Sequence, residues 1–419
     1  MSNKVNILHM GLGAFHRAHQ AVYIQRAIDN GSPLSIGAVS QRDPKVSDQL
    51  KSLNYKYTVI ERNGQGEKSF EINSITATYF YPDDYKELAK IVSQPSFLAI
   101  TITATEKAYV VGAGEHDSLP NRLAFLLRAR YLAQLGGIAI ISCDNIANNG
   151  DVTRALVLKA ADWYEDNSFI NWLKVQVRFK NSMVDRIVPA LDDPAVINTE
   201  PFIQWVIQDD PIKEYFKDTG VQFVADVSGY EFMKLRLFNA IHSALSTIGQ
   251  LTGIEYIAQV VSIPAYEKFA SLIQAQAALT FQAPVGQSSK EYSDKIRARI
   301  SNPTIKHRTL QVAMDGSQKL PFRIFNSINI LKEKDLPTNY LTLVLAIWVE
   351  FLDKCEVIDD PLAKTLVPLA KLADPVAAVD AIFSLPDYAI TLDKAVFYEV
   401  ADWLSKIRSS GVAAVVALL

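Results

Sequence analysis

The stretch VNILHMGLGAFHRAHQ, residues 5–20, decides the fold. A run of apolar residues leads into Gly11 and Gly13, and a helix-like segment follows. In a dinucleotide-binding fold, the first glycine permits a tight turn after a strand, and the second lets backbone N–H groups approach a pyrophosphate. His16 replaces the third glycine of the usual fingerprint. A strand–turn–helix corner, with glycines required for steric reasons only, is therefore the alternative.

The end of the second predicted strand bears on the choice of cofactor. Gln41, Arg42 and Asp43 follow an apolar run at residues 34–40. An acidic residue at this place accepts hydrogen bonds from the adenosine ribose of NAD, whereas an arginine can accommodate the 2′-phosphate of NADP. Asp43 therefore favours NAD, and Arg42 leaves NADP open. A solvated turn before Pro44 explains the same charges without a ligand.

The first third of the chain alternates short apolar runs with amphipathic segments. This pattern is typical of a mostly parallel sheet whose strands are joined by crossover helices. Residues 57–78, with Asn63-Gly64 as a turn signal, predict an inserted set of antiparallel hairpins. The predicted strands are Val5–Met10, Leu34–Ser40, Phe97–Thr103 and Ile138–Ser142, and the predicted helices are Ala18–Ile28, Tyr85–Ser93 and Arg122–Gln134.

Helix-like periodicity replaces the β-branched runs from Asp226 onward. The fold class is therefore an α/β N-terminal Rossmann-type domain followed by a mainly α-helical C-terminal domain. We expect a dinucleotide-binding domain over residues 1–225 and a substrate and catalytic domain over residues 226–419. In the second domain, residues 283–289 predict a loop. Residues 340–352 predict a buried helix, since this apolar run is well short of the ~20 residues that span a bilayer.

The composition and net charge of the chain limit the classes of molecule that it is expected to bind. The 419 residues carry a formal net charge of −3, and the sequence pI is near 6.1. Such a balance disfavours nucleic acid and membrane surfaces as partners, and it leaves a small molecule as the expected one. Cys143 and Cys355 are too few for a disulfide framework or a cysteine-based metal site. With no signal-peptide pattern at the start, we expect a cytoplasmic protein; its oligomeric state is left open.

One helix-like segment, residues 230–242, gathers polar side chains. At about 100° per residue, Glu231, Lys234, Asn239 and His242 share one wedge of this helix, and apolar residues lie opposite. A desolvated lysine can accept a proton near neutral pH. Asparagine amides can stabilise a developing alkoxide, and a histidine can orient a hydroxyl. The alternative is an ordinary ion pair between Glu231 and Lys234 beside a structural histidine.

Three further polar clusters stand out. Residues 142–145 follow a predicted parallel strand, at the end where α/β sheets place their sites, and residues 181–186 follow later. In the third, residues 314–319, preceded by His307 and Arg308, cationic side chains can hold substrate hydroxyls or a carboxylate. Each cluster is equally compatible with a loop or a surface turn.

Taken together, these motifs resemble one family. GLGAFHRAHQ at 11–20, SCDN at 142–145, NSMVDRI at 181–187 and the Lys-Asn-His set at 234, 239 and 242 are similar to the polyol-specific long-chain dehydrogenases. That family includes mannitol 2-dehydrogenases, arabinitol dehydrogenases and mannonate oxidoreductases. EPFIQWV at 200–206 and DGSQK at 315–319 resemble the same family. The resemblance therefore extends over nearly the whole chain.

The resemblance implies a metal-independent, nicotinamide-dependent dehydrogenase acting on CH–OH groups, with NAD as the cofactor and no metal ligand. It implies that Lys234 is the general acid/base, that Asn145 and Asn239 stabilise the oxyanion, and that His242 orients the substrate. The substrate-binding candidates are Asp185, Glu231, Arg308 and Lys319. The cofactor-binding candidates are Gly11, Gly13, Phe15, His16, Arg17, Arg42 and Asp43.

Two departures from the mannitol enzymes bear on specificity. Those enzymes carry an acidic pair where this chain has Arg42-Asp43, and an arginine where it has Gln311. Residues 308–321 are more similar to the mannonate oxidoreductases. We therefore expect an open-chain sugar acid, with D-mannonate and D-fructuronate as the best pair. The alternatives are mannitol or arabinitol, a phosphorylated sugar, and a non-catalytic dinucleotide-binding regulator.

Overall fold

The computed structural model describes residues 5–191 and 193–419, and the chain divides into two compact units. The first unit is Met1–Ser228 and the second is Gly229–Leu419. The strands of the first unit are β1 (Ile7–Met10), β2 (Ile36–Ser40), β3 (Tyr57–Arg62), β4 (Glu67–Ile72), β5 (Ile75–Phe80), β6 (Ala99–Ile102), β7 (Ala139–Ser142), β8 (Arg178–Lys180), β9 (Ser182–Asp185), β10 (Val196–Thr199), β11 (Gln204–Gln208) and β12 (Gln222–Val224).

Six of these strands form a parallel sheet in the order β5-β2-β1-β6-β7-β8. With the β3–β4 hairpin set aside, the order along the chain becomes 3-2-1-4-5-6, which is that of a Rossmann fold. Ile7 lies opposite Ile36 on one side and Ala99 on the other. The strand order therefore reverses between β1 and β6, and Gly11 and Thr103 follow the carboxyl ends of these two strands.

Apolar side chains cover both faces of this sheet. Ile7 belongs to one buried cluster, while Leu8 and Met10 belong to another, because successive side chains of a strand point to opposite faces. A strand that is buried on both faces is a near-continuous apolar run, as β1, β6 and β7 are. The helices of this unit are α1 (Ala14–Ala18), α2 (Gln20–Asp29), α3 (Lys45–Ser52), α4 (Tyr81–Val92), α5 (Leu119–Leu132), α6 (Asn149–Ala161) and α7 (Asn167–Gln176).

The four strands predicted from sequence are confirmed, with their ends shortened by one or two residues. The three predicted helices correspond to α2, α4 and α5, and the latter two begin a turn earlier than predicted. The Rossmann-type fold class is thus confirmed.

The predicted hairpin insertion is correct only in part. β3 and β4 are antiparallel around the turn at Asn63–Gly66. β5, however, is a parallel strand of the main sheet and pairs with β2, so the hairpin prediction was wrong from Ile75 onward. The short link between β4 and β5 resembles a hairpin turn in sequence. Ser74 in that link is buried and donates to the Ala21 carbonyl at 2.8 Å, which directs the chain into the large sheet.

Two small sheets complete the first unit. β10 adds parallel to β3 in the order β10-β3-β4, and β9, β11 and β12 form the sheet β12-β11-β9. Asp185, the last residue of β9, lies opposite Gln204 in an antiparallel pair. Sequence analysis did not predict the strands from β8 to β12, which are short and rich in polar residues.

The second unit is helical, as predicted, with an isolated bridge between Tyr256 and Arg308. Two π-helical segments, Met233–Asn239 and Pro321–Phe325, interrupt the regular helices. The helices are α8 (Ser228–Phe232), α9 (Ala240–Thr252), α10 (Ile257–Val261), α11 (Pro264–Ala277), α12 (Ser289–Ile300), α13 (Thr309–Ala313), α14 (Gly316–Leu320), α15 (Asn326–Glu333), α16 (Asn339–Lys354), α17 (Ala363–Ala370), α18 (Pro375–Phe383), α19 (Phe397–Ser410) and α20 (Val412–Ala417).

Helix α16 contains the predicted buried helix, and its residues from Leu341 to Leu352 are all buried. Residues 283–288 form the predicted loop, and Ser289 begins α12. None of the helices within the described residues combines the length and apolar character that crossing a membrane requires.

Candidate active site

Gly11 is required by the packing of the first unit. Its backbone has a φ of +119°, which side chains rarely adopt, and an added Cβ would lie 1.8 Å from the carbonyl oxygen of Thr103. The Thr103 hydroxyl also donates to the Gly11 carbonyl at 3.0 Å. The turn after β1 therefore packs closely against the end of β6. The lack of space for a Cβ is enough to explain the glycine at this position.

Gly13 has no such reason within the protein. Its φ of −125° suits any residue, and the nearest atom to an added Cβ is the Gly11 carbonyl oxygen at 3.9 Å. Gly13 instead faces a cavity of about 500 Å³. A glycine that packing does not require, at the edge of a cavity, matches the position where a dinucleotide fold brings its backbone close to a pyrophosphate.

This cavity lies at the carboxyl ends of β1, β2 and β6, where the strand order reverses. Open α/β sheets bind their ligands at such a point. Arg42 and Asp43 both line it, and a contact of either with the ribose of a cofactor stays a prediction. The other lining residues are Gly11, Leu12, Gly13, Ser40, Gln41, Val46, Thr103, Ala104, Lys107, Ala108, Val110, Asp117, Ser118, Leu119 and Arg122.

The charged residues that line this cavity, Arg42, Asp43 and Arg122, have different surroundings. Asp43 accepts from the Lys45 N–H at 2.8 Å at the start of α3, and Arg42 is exposed. Arg122 donates to the His116 carbonyl at 2.9 Å, and its guanidinium lies 4.6 Å from the ring centre of Tyr81. Sequence analysis missed Arg122 because it lies within α5, outside any recognisable motif. The lining of this cavity therefore contains both an acidic group, Asp43, and basic groups, Arg42 and Arg122.

Three residues predicted to bind the cofactor lie outside the cavity lining. His16 is fully buried, and its ring stacks on His9 with 3.4 Å between centroids. Arg17 is buried and donates to the Pro194 carbonyl at 2.7 Å. Phe15 is half-buried and stacks on His19. These side chains pack against other parts of the first unit next to the glycine turn. A direct contact of any of them with a cofactor stays a prediction.

The two stacked histidines are uncharged in the folded protein. Burial lowers the pKa of His9 to about 3, and burial together with His9 and Arg17 lowers the pKa of His16 well below its usual value. The ring nitrogens of His9 lie 2.7 Å from the hydroxyls of Thr101 and Thr103. The histidine that replaces the third fingerprint glycine is thus a packing group beneath the turn.

The predicted catalytic helix of the second unit contains an unpredicted π segment. Met233–Asn239 is π-helical and joins α8 to α9. In a π turn the backbone bonds link residues five apart, so the angle about the helix axis between Lys234 and Asn239 is smaller than in an α-helix. The structure therefore corrects the assumed geometry and aligns these two side chains more closely than the sequence predicted.

The polar side chains of this helix are buried. Lys234 and Asn239 are each 7% exposed, Glu231 is 6% exposed and His242 is 5% exposed. A surface ion pair between Glu231 and Lys234, the alternative considered from sequence, is inconsistent with this burial. The Phe238 ring packs edge-on against the His242 imidazole, with 4.4 Å between centroids.

His242 is neutral and has cationic neighbours. Burial lowers its pKa well below the usual value, and His307, Arg323 and Arg299 lower it further. The guanidinium of Arg299 lies 4.8 Å from the Phe238 ring centre. Arg323 donates to the Ser243 hydroxyl at 2.9 Å. Sequence analysis missed both arginines, because only the packing of α12 and of the second π segment brings them to this helix.

Lys319 and Arg308, both predicted to contact substrate, are placed differently. Lys319 lies on α14, is half-buried and donates to the Met314 carbonyl at 2.5 Å. Burial and the positive charge of Lys319 together lower the pKa of His307 to about 4. Arg308 is exposed and forms an ion pair with Glu255 at 3.5 Å. The structure brings Lys319 towards the histidines and leaves Arg308 on the surface.

Asn145 and Asp185 belong to the first unit. Asn145 is exposed in the segment after β7, at the carboxyl edge of the large sheet. Asp185 is buried at the end of β9. The adjacent Arg186 donates to the Ala18 carbonyl at 2.6 Å and pairs with Glu61 at 2.5 Å, which ties β9 to α1 and β3. Sequence analysis missed Glu61, since it is 125 residues from its partner.

The parallel sheet with its glycine turn, and the buried lysine of the helical unit, together define a Rossmann-type dehydrogenase. Two family models match the chain: the mannitol dehydrogenase Rossmann domain over residues 5–217 and the mannitol dehydrogenase C-terminal domain over residues 226–402. The chain belongs to the mannitol dehydrogenase family and is an oxidoreductase.

Individual relatives agree with this assignment. The D-mannonate oxidoreductase of Escherichia coli (strain K12) is 33% identical, and the match covers 82% of this chain and 79% of the relative. A mannitol 2-dehydrogenase of Pyrenophora tritici-repentis is 32% identical over 83% of this chain and 69% of its own. The solved ternary complex of Pseudomonas fluorescens mannitol 2-dehydrogenase with NAD and D-mannitol is 25% identical, with a TM-score of 0.87, covering 99% of this chain and 94% of the other.

Proposed function

We propose that this polyol or sugar-acid dehydrogenase uses NAD to interconvert a secondary alcohol of an open-chain sugar acid and the corresponding ketone. D-Mannonate and D-fructuronate are the best substrate pair. The name of the Escherichia coli relative supports the sugar acid, and the NAD complex of the structural neighbour supports the cofactor. In this proposal residues 1–225 bind the dinucleotide, and residues 226–419 bind the substrate and supply the lysine.

The positive surroundings of His242 carry the proposal. Arg299 and Arg323 both act on this buried imidazole, and Lys319 acts on the neighbouring His307. The two imidazole centroids are 5.5 Å apart. A positive field of this kind stabilises a carboxylate, and a guanidinium can bind it through two hydrogen bonds. A neutral polyol gains nothing comparable, so the field favours a sugar acid.

The cofactor site fits a nicotinamide dinucleotide. The open face of Gly13 leaves room for the pyrophosphate, and Asp43 can accept a hydrogen bond from the ribose of NAD. Arg42 would hold the 2′-phosphate of NADP, which keeps that cofactor as the alternative. NAD held by these residues would supply the acceptor for the hydride of the carbinol carbon.

The residues of this chain handle the proton and the oxygen. In the oxidative direction, Lys234 Nζ accepts the hydroxyl proton, so that the C–H bond breaks while a C=O bond forms. The side-chain amides of Asn145 and Asn239 donate to the oxygen as negative charge develops on it. His242 is uncharged and orients a neighbouring hydroxyl. Glu231 lines the site near the lysine, Asp185 supports the site, and Lys319 binds the far end of the substrate.

A matched pair of arginine variants tests the charge argument. Arg299 and Arg297 lie on the same helix, but Arg297 forms ion pairs with Glu267 at 2.8 Å and Asp294 at 2.5 Å. Arg299→Met should lower kcat/KM for fructuronate by about tenfold relative to fructose, since a hydrogen bond to a charged group contributes about 1.5–3 kcal/mol. Arg297→Met should leave this ratio at the wild-type value. Steady-state oxidation of NADH measures both.

An unchanged fructuronate-to-fructose ratio in Arg299→Met would remove the support for an acid substrate. The second candidate is then a neutral polyol such as mannitol or arabinitol. The observation that favours it is the overall likeness to the Pseudomonas fluorescens complex, which holds D-mannitol.

A further inference from the structure

The carboxylate of Asp144 binds a loop forty residues away in sequence. Its oxygens accept from the Ala104 N–H at 2.9 and 3.0 Å, and Oδ1 accepts from the Thr105 N–H at 2.9 Å. Oδ2 also accepts from the Tyr109 hydroxyl at 2.7 Å. One side chain thus collects three donors from the segment that follows β6.

That segment forms one wall of the cofactor cavity. Residues 103, 104, 107, 108 and 110 all line it. Thr105 adopts a φ of +69°, a conformation that is costly for a β-branched residue and persists only where its surroundings hold it. Within residues 104–109, the backbone bond from the Ala108 N–H to the Thr105 carbonyl, at 3.1 Å, closes a single turn. The Asp144 carboxylate therefore supplies three hydrogen bonds that fix this wall to the end of β7.

Asp144 itself is held from the opposite side. Its carbonyl accepts from Asn149 Nδ2 at 2.9 Å, and the same amide group donates to the Ser182 carbonyl at 2.7 Å. The Ser142 hydroxyl lies 2.6 Å from the Tyr109 hydroxyl. These partners lie at the ends of β7 and β9 and at the start of α6, so the carboxylate is fixed to regular secondary structure.

Burial keeps the Tyr109 hydroxyl a donor. Burial and the adjacent Asp144 carboxylate raise the pKa of Tyr109 well above its usual value, so its proton stays in place. The raised pKa is therefore consistent with the hydrogen bond that the Tyr109 hydroxyl donates to Asp144.

We infer that Asp144 is a positioning residue for the cofactor, which holds residues 103–110 in the conformation that lines the dinucleotide cavity. The inference rests on the proposed function, since it concerns the same NAD site. Asn145, the proposed oxyanion donor, is the next residue along the chain. Asp144 consequently fixes both the wall of the cofactor cavity and the start of the segment that carries a proposed catalytic amide.

The test compares three variants of the full-length protein. Asp144→Asn keeps the size of the side chain but places an N–H₂ group where an acceptor is needed, and Tyr109→Phe removes one of the bonds. Asp151→Asn is the control, because Asp151 is an exposed carboxylate at the start of α6 that pairs with Asn181 outside this loop. The measurements are the Kd for NADH by fluorescence titration and the hydrogen exchange of the Ala104 and Thr105 amides in the free protein.

Asp144→Asn should raise the Kd for NADH by about tenfold or more, since hydrogen bonds to charged groups are lost. Both amides should exchange faster. Tyr109→Phe should shift the same two readouts in the same direction by a smaller factor, and Asp151→Asn should match wild type. A merely structural role would lower the melting temperature and leave the Kd of the folded fraction unchanged.

A wild-type Kd in Asp144→Asn would overturn the inference. If that variant does not fold, Tyr109→Phe decides: a wild-type Kd with wild-type amide exchange overturns the inference, and a raised Kd supports it. Failure of the wild-type protein to bind NADH or NADPH would contradict the proposed function. Tight wild-type binding that is insensitive to Asp144 contradicts only the role of Asp144.

Discussion

Burial alone does not separate a side chain with a proposed chemical role from one that packs. Lys234 is 7% exposed in a helix whose neighbouring side chains are largely apolar. His16 belongs to the family-like motif and is also buried, and its ring stacks on His9 outside the lining of the cavity at the glycine turn. The sequence placed both residues in motifs of equal standing. The stacking on His9 identifies His16 as a packing group, whereas the role of Lys234 as a proton acceptor is part of the proposed function.

The first prediction at this scale concerns Lys234. Replacement by methionine keeps the apolar stem of the side chain and removes the proton acceptor. Because general base catalysis contributes about 10²- to 10⁴-fold, kcat should fall by that factor while the Kd for NADH stays near wild type. Lys268→Met is the control, since Lys268 is exposed on α11. Normal turnover in Lys234→Met would remove this residue from the mechanism.

The second prediction separates the two glycines of the turn. Gly11→Ala should destabilise the first unit, because its Cβ would overlap the Thr103 carbonyl and its φ would be strained. Gly13→Ala should leave the melting temperature unchanged and weaken NADH binding, because its methyl group would occupy space that the protein itself leaves open. Thermal unfolding and NADH titration measure the two effects. Wild-type NADH affinity in Gly13→Ala would show that the cofactor does not approach this backbone.

At the scale of elements, sequence patterns predicted what depends on local burial. β1, β6 and β7 were found because both faces of each are covered, which leaves an apolar run. The parallel pairing of β5 with β2 could not be predicted, because the sequence of a strand does not indicate which strand it pairs with. The π segment Met233–Asn239 was missed for a similar reason: its sequence is compatible with an α-helix, and the hydrogen-bond register is decided by packing.

In the candidate active site, too, sequence patterns predicted local motifs but not contacts between distant parts of the chain. Asn145, Asn239 and His242 could be proposed as site residues because they lie in short motifs that a single sequence reveals. Arg299 and Arg323 reach the catalytic helix only through the packing of the second unit. The contacts of Asp144 with the cavity wall span about forty residues. Contacts between residues so far apart in sequence depend on the tertiary fold. They cannot be predicted from the spacing of residues along the chain.

At the scale of the whole molecule, buried neutral histidines couple stability to pH. His9 and His16 lie in the first unit, and His242 and His307 in the second. Burial is the first cause of the lowered pKa in each case, to about 3 for His9 and about 4 for His307. The unfolded chain protonates these imidazoles near pH 6.5, where the folded protein does not. Below about pH 6.5 the unfolded state therefore binds more protons, and the free energy of unfolding falls.

The third prediction follows from this sign. Between about pH 6 and pH 4, each such histidine should lower the free energy of unfolding by up to ~1.4 kcal/mol per pH unit, and for His307 the loss ends near its folded pKa of about 4. His307→Gln should reduce the slope by that amount, because carboxylate contributions are common to both proteins. Urea unfolding at a series of pH values measures the slope. Identical slopes in the two proteins would mean that the pKa of His307 is the same in the folded and unfolded states.

The substrate of this dehydrogenase can be tested by the oxidation of NADH by the purified protein, with fructuronate, tagaturonate, fructose and xylulose assayed in parallel. NADPH replaces NADH in a second series. The sugar-acid proposal predicts rapid loss of nicotinamide absorbance with a keto acid and slow loss with the neutral ketoses. Rapid turnover with fructose or xylulose alone would contradict it.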